Sequence, residues 1–549
     1  MKELARNAAF FRERAAIDFD KELNEPPQPL TWPRESTKQL DVTRTPDSDL
    51  MKQYVDILPT DWQVVSLTLS PDRNELVISR LRAEQSPFML FLPLKRSDPG
   101  EMDEEEFNFD SGKEELQEII KLANETAHAT EARFDKKSKK QWWANREALD
   151  RRLKALLHNI ETVWFGGFRG IFAPKPSDDK ILAKFSQTFQ KLLDKHLPSR
   201  TKRGKTAASA ATIDRNVMEL FMNIGSLDDE ANPEDSVMDL LYFVVDILQF
   251  HGERNAYDEI DFDMMVVETL DALRGVHEAE RRERISDQQH QTILVLDRAL
   301  HSFPWESLEC LTDSSVSRMP SLDSLREHIL QAQNTVPKEP SPYGFHISRN
   351  DGSYILNPSG DLSSTQNSFE SPLSTLNGWS NIVHREPSEE EFKDALEKSD
   401  LLLYFGHGSG AQYIRGRTIK RLDRCAVTFL MGCSSGSMAE AGEFESYGVP
   451  WNYMQAGAPA LVATLWDVTD KDIDRFAKSA FEHWGLLETS SQDTGNPLRC
   501  KSRGQGADHS TTFGPTALDA AVSKSREACI LKYLNGAAPV VYGVPVYLK

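Results

Sequence analysis

The chain has 549 residues, 39% hydrophobic and 27% charged, a balance that suits a globular protein of roughly two to four domains. Its formal net charge of −21 argues against a protein whose main task is to grip nucleic-acid phosphates. No run of about 18 uncharged apolar residues reads as a membrane helix, and the charged N-terminus MKELARNAAFFRERAAIDFDKE lacks the apolar region of a secretory signal.

Five cysteines, Cys310, Cys425, Cys433, Cys500 and Cys529, fit neither a disulfide framework nor a zinc spacing. A reduced chain of the cytoplasm or nucleus is expected, with no metal, no cofactor, no membrane and no direct need for nucleic acid.

Short β-like runs come first. Trp62–Leu69 alternates around Val65, Leu67 and Leu69, a Pro-Asp-Arg-Asn turn follows, and Glu75–Leu81 and Phe88–Leu92 continue. These predict a small antiparallel meander within residues 1–105. After an acidic cluster beginning at Glu101, the apolar period becomes helical. Leu149, Leu153, Leu156, Leu157, Ile160, Val163 and Trp164 form one stripe, and further helices are predicted near 180–195, 209–224, 235–250 and 262–283. Val237–Phe250, interrupted by Asp239 and Asp246, is an amphipathic core helix. Residues 106–285 therefore read as an all-helical insertion, with Lys136–Lys140 on a solvated face.

From 286 to 549 the texture is α/β. Thr292–Leu296, Leu401–Phe405, Ala426–Met431 and Ala460–Leu465 are continuous apolar runs, like strands buried on both faces. Helical patterns such as Ser388–Lys398 and Asp470–Trp484 separate them, which predicts a mainly parallel sheet flanked by helices. The Ser-rich stretch Asn357–Leu373 and the Ser/Gly-rich stretch Thr489–Thr512 read as loops.

In open parallel sheets, sites lie beyond the carboxyl ends of the strands. Three runs end in chemistry: LLLYF in Gly406-His407-Gly408, AVTFLM in Gly432-Cys433-Ser434, and ALVATL in Trp466-Asp467 with Asp470, Asp472 and Asp474 behind. Singly, a histidine in a glycine turn is a loop residue and a cysteine after a strand is a small core residue. At matching strand ends they predict a thiol nucleophile, Cys433, with His407 as its base or as acid to the leaving amine. The backbone amides of Gly408 and Cys433 are candidates for an oxyanion hole. An acid beside this pair suits a basic P1 side chain, although carboxylates there also favour a helix N-terminus. Gly432–Gly436 also matches G-x-S-x-G, with Ser434, Asp467 and His483 in hydrolase order, but that reading leaves His407 unused and puts His483 inside a helix.

YFGHGSGAQYI, FLMGCSSGSM and TLWDVTDKDIDRF resemble the catalytic region of the separase family, clan CD cysteine proteases related in fold to caspases. LDRALHSFPWESLECL, SVSRMPSL, YILNPSGDL and LNGAAPVVYGVPVYLK extend the likeness over about 291–549. The caspase signature itself is absent: there is no Gln-Ala-Cys, and His407 lies 26 residues before Cys433 rather than about 50. The resemblance implies a caspase-like protease domain over 286–549, preceded by a substrate-binding domain whose N-terminal part is 1–105 and whose helical insertion is 106–285. It implies cleavage after Arg in an E-x-x-R context within the kleisin subunit of cohesin, which triggers sister-chromatid separation at anaphase. His407 and Cys433 match the dyad positions. Asp467 and Asp474 match acids of the P1 pocket, with Trp466 shaping its wall. Securin is the implied inhibitor, bound as a pseudosubstrate. The implied location is cytoplasm and nucleus, on the mitotic spindle and chromosomes. Separases carry a long helical-repeat region before this part, so a C-terminal fragment of a longer protein is expected. A caspase-like peptidase of other specificity, or a non-catalytic binding module on the same fold, are the alternatives.

Overall fold

The computed structural model describes residues 8–24, 51–94, 107–127, 136–174, 178–201, 211–225, 233–282, 290–312, 314–333, 341–442, 444–488 and 515–549. The polar stretch Thr489–Thr512 and the acidic residues 101–106 lie outside them.

The meander is present, with β1 (Trp62–Leu69), β2 (Glu75–Arg82) and β3 (Phe88–Pro93) antiparallel in sequence order. It is not a separate sheet. β1 pairs in parallel with β4 (Gln291–Leu296), in register from Trp62↔Gln291 to Leu67↔Leu296. All of β1 is therefore buried, not only the alternate positions its pattern marked. Its second face is covered by the insertion, where Gln63 Nε2 donates to Phe172 O at 2.8 Å.

The remaining strands are β5 (Ser315–Met319), β6 (Phe345–Ile347), β7 (Gly352–Leu356), β8 (Ser380–Val383), β9 (Leu401–Phe405), β10 (Val427–Leu430), β11 (Met438–Ala441), β12 (Phe444–Gly448), β13 (Ala460–Thr464), β14 (Pro539–Gly543) and β15 (Val546–Leu548). Eleven of the described strands form one sheet, ordered β3-β2-β1-β4-β5-β14-β13-β10-β9-β7-β8. The four strands β1, β4, β5 and β14 are parallel to each other, as are the five strands β13, β10, β9, β7 and β8. The two blocks meet antiparallel at β13/β14.

The described α-helices of seven or more residues are α1 (Ala8–Asn24), α2 (Phe109–Ala127), α3 (Lys136–Asn159), α4 (Asp179–His196), α5 (Arg215–Met222), α6 (Pro233–Phe250), α7 (Phe262–Arg282), α8 (Leu322–Gln333), α9 (Ser363–Ser374), α10 (Glu389–Lys398), α11 (Val449–Gln455), α12 (Asp470–Trp484) and α13 (Leu518–Ser525). The expected loop at Asn357–Leu373 is largely α9. Thr365, Phe369 and Leu373 are its buried residues, spaced four apart, and that single stripe packs a helix whose composition is otherwise serine-rich. Phe481 of α12 meets Phe405 of β9 and Phe429 of β10, with ring centroids 6.2 and 5.1 Å away. The insertion and the sheet share one hydrophobic cluster. Its aromatic joint includes Trp164 of the insertion against Phe303 and Trp305, at 5.7 and 6.5 Å.

Candidate active site

β13, β10, β9 and β7 are neighbours and parallel, so their carboxyl ends open on one edge. Each delivers one part of a cleft. Its lining includes Leu362, Thr365, His407, Cys433, Asp470 and Asp474.

The loops after β9 and β10 rest directly on each other. A Cβ on Gly432 would lie 2.0 Å from Gly408 O and 2.4 Å from Gly406 O, so no other residue allows that approach. The histidine loop is braced from beneath, where Tyr404 Oη donates to His407 O at 3.0 Å. The cysteine loop is pinned by Thr464, whose Oγ1 donates to Gly432 O at 2.8 Å. Ser435 Oγ donates to Leu430 O at 2.8 Å and accepts from Thr464 N at 3.0 Å.

The Cys433 thiol is half-buried and donates to Val468 O at 3.5 Å. Burial, helped by the negative charges of Asp467 and Asp470, pushes its pKa up to about 11, so the resting group is a neutral thiol. The amides of Gly408 and Cys433 make no backbone hydrogen bond among the described residues, whereas that of Ser434 donates to Trp466 O at 3.3 Å.

The His407 ring is half-exposed, and its Nε2 lies 2.8 Å from Asp361 Oδ2. Asp361 was not singled out in the sequence. Its signal is the short strand β7 followed by Asn-Pro-Ser-Gly-Asp. Asn357 sits in the left-handed region, at φ 51°, and its side chain organises the turn. Asn357 Oδ1 accepts from Leu362 N at 2.9 Å, and its Nδ2 donates to Gln366 Oε1 at 2.8 Å.

The acidic cluster divides by task. Asp470 and Asp474, one helical turn apart on α12, both face the cleft. Asp474 is buried, accepts from Thr365 Oγ1 at 3.0 Å, and is pushed by burial to a pKa of about 7. Asp472 points away and accepts from Ile530 N and Leu531 N at 3.1 and 3.2 Å. Asp467 is not among the cleft-lining residues, and its Oδ1 accepts from Ser434 Oγ at 2.5 Å. Trp466 is 1% exposed and donates its indole N–H to Leu534 O at 2.7 Å, so it forms core behind the cleft and not its wall. The structure thus brings His407, Cys433, Gly408 and Asp474 together, adds Asp361 and Asp470, and keeps the Asp467 and Trp466 side chains outside the lining. It does not assemble the alternative hydrolase set: His483 Nδ1 lies 2.9 Å from Ser479 O on its own helix.

Residues 71–473 match the family described as the separin protease domain. The chain is 57% identical over 545 residues to Separin of Emericella nidulans, covering 99% of this chain and 25% of that protein. It is 41% identical over 495 residues to Separin of Schizosaccharomyces pombe, covering 90% of this chain and 25% of that one. It therefore spans about a quarter of the length of these curated relatives. A crystal structure of the Saccharomyces cerevisiae separase–securin complex superposes with a TM-score of 0.76 at 33% identity, over 91% of this chain and 30% of that chain. With a family match over most of its length, this chain belongs to the separin protease-domain family.

Proposed function

We propose that this chain is a separase-type cysteine endopeptidase that cuts the kleisin subunit of cohesin after arginine in an E-x-x-R context. The observation that carries the reading is the convergence of Asp361, His407, Cys433 and the Asp470/Asp474 pair at the ends of four adjacent strands.

Cys433 Sγ attacks the scissile carbonyl. Asp361 engages His407 Nε2, which leaves Nδ1 to take the thiol proton and later return it to the leaving amine. The amides of Gly408 and Cys433, which make no backbone–backbone hydrogen bond among the described residues, receive the oxyanion. A P1 guanidinium seats between Asp470 and Asp474, where the planar fork of arginine meets carboxylate oxygens. Burial is the main cause that keeps the resting thiol neutral, and the positive charge of a bound arginine offsets the smaller contribution of the nearby carboxylates. Securin, named in the yeast complex, is proposed as the inhibitory partner, filling the cleft as a pseudosubstrate. With cohesin as its proposed substrate, the proposed location is cytoplasm and nucleus, at the mitotic spindle and chromosomes.

The test is cleavage of E-x-x-R peptides. Cys433→Ser should fold and lose about 10³-fold or more in kcat/KM, because a serine hydroxyl is far less acidic than a thiol. Ser434→Ala should keep most activity. An inactive Ser434→Ala beside an active Cys433→Ser would establish the serine-hydrolase arrangement instead.

A further inference from the structure

The helical insertion reaches the cleft through a buried arginine. Arg146, on α3, is 0% exposed. Its Nη1 donates to Ala123 O at 3.2 Å and Thr126 Oγ1 at 3.0 Å, in the last turn of α2, where helix carbonyls lack partners. Its Nη2 donates to Asn535 Oδ1 at 3.0 Å. Asn535 Nδ2 then donates to Thr469 Oγ1 at 3.0 Å and Asp472 Oδ2 at 2.8 Å. Thr469 is the N-cap residue of α12.

Two further links run in parallel. Asn124, in that same last turn of α2, accepts from Asp467 N at 3.1 Å. Asp150, one turn beyond Arg146, accepts from Tyr533 N and Leu534 N at 2.9 and 2.8 Å, and Leu534 O holds the Trp466 indole. The loop from Trp466 to Thr469 is thus gripped from outside the sheet. It supplies the carbonyl that accepts the Cys433 thiol hydrogen bond, and it launches the helix bearing Asp470 and Asp474.

Arg146 is an expensive residue for mere packing. Its hydrogen-bond acceptors are all neutral oxygens, and its Nε has no hydrogen-bond partner among the described residues. A buried guanidinium so placed costs desolvation that an apolar side chain of similar length avoids. What an apolar side chain does not supply is a rigid fork joining two elements.

We propose that Arg146 is a positioning residue for P1 recognition: through Asn535 and the α2 terminus it fixes the start of α12, so that Asp470 and Asp474 face Cys433. This rests on the reading of the cleft as an arginine pocket. The helical insertion is then a working part of specificity and not only a lid on the sheet.

Hydrogen exchange and kinetics on the whole chain test it together. In Arg146→Met, amides of residues 466–473 should exchange about tenfold faster or more, while those of 404–410 keep their rates. The KM for arginine peptides should rise about tenfold with kcat falling by a smaller factor: the cysteine loop touches the loosened segment through Ser434 N and Cys433 Sγ but keeps its Thr464 and Ser435 braces, and the histidine loop keeps Tyr404. Arg146→Lys should not rescue, since an ammonium lacks the fork. Asn535→Ala should reproduce the phenotype, and the double variant should be no worse than either single one. If Arg146→Met fails to fold, Asn535→Ala alone supplies both readouts. Unchanged exchange at 466–473, uniformly faster exchange across the chain, or a loss confined to kcat overturns the positioning role. A wild-type chain that ignores arginine peptides overturns the pocket reading instead, whatever the exchange pattern.

Discussion

Asp472 and Asp474 stand two residues apart on α12, and both are buried, 2% and 8% exposed. Their positions about the helix point them to opposite sides. On the rear side Asp472 accepts from two backbone amides, the Asn535 amide and the Arg475 guanidinium. On the cleft side Asp474 accepts from one hydroxyl, that of Thr365. A buried carboxylate whose oxygens are filled is a brace between chain segments. One left short of donors costs folding energy and is matched by an incoming cation.

The largest effect should come from the brace. Asp472→Ala strands the Ile530 and Leu531 amides and the Asn535 side chain, a cost of about 3–5 kcal/mol by the ordinary penalties for unpaired buried donors. Chemical denaturation measures it. A variant as stable as the parent would erase the distinction between the two sides.

Asp474→Asn should act in the reverse sense on stability and strongly on activity. Cleavage of arginine peptides should lose ~2–4 kcal/mol of transition-state stabilisation. Burial raises the Asp474 pKa to about 7, above its unfolded value, so the folded chain binds the extra proton. The parent then loses stability as pH rises from near 4 through 7. The variant escapes that loss. It should be roughly 2–4 kcal/mol more stable at pH 8, with the gain nearly gone by about pH 4. A constant gain across that range would show that the carboxyl does not titrate there. In the parent, affinity for arginine peptides should improve as pH rises through about 7 and Asp474 ionises.

The two sides also differ in how far the sequence announces them. His407 and Cys433 were legible because each follows a continuous apolar strand and is framed by glycine. The helix carrying the acids was legible from its period, but the acids' directions were not. Asp467 drew attention because it follows strand β13 directly, yet its side chain turns to Ser434. Asp361 was hidden because β7 opens on Gly-Ser and so lacks the continuous apolar run of β9, and because α9 presents mostly serine outward. Arg146 and Asn535 lie 389 residues apart, and no local period encodes a contact of that kind. The meander was legible as three strands, while its pairing with β4 depends on residues more than two hundred positions on.

The smallest effect tests an acid that belongs to neither side. Asp467 sits between the cysteine loop and the insertion: its carboxylate takes the Ser434 hydroxyl, and its amide donates to Asn124. Ser434 is a non-glycine residue at φ 53°, a strained position that this hydrogen bond helps hold. Asp467→Asn keeps an oxygen for that hydroxyl and removes only the charge. The charge of Asp467 raises the Cys433 pKa, so its removal favours the thiolate. Alkylation of Cys433 by iodoacetamide at pH 8 should therefore quicken by roughly two- to threefold, since each pKa unit lost is worth up to about tenfold in thiolate at pH below the pKa. KM for arginine peptides should stay near the parent's, because the Asp467 side chain is not part of the cleft lining. A KM rise as large as that of Asp474→Asn would make Asp467 a direct ligand of the P1 arginine and move the pocket one loop toward β13.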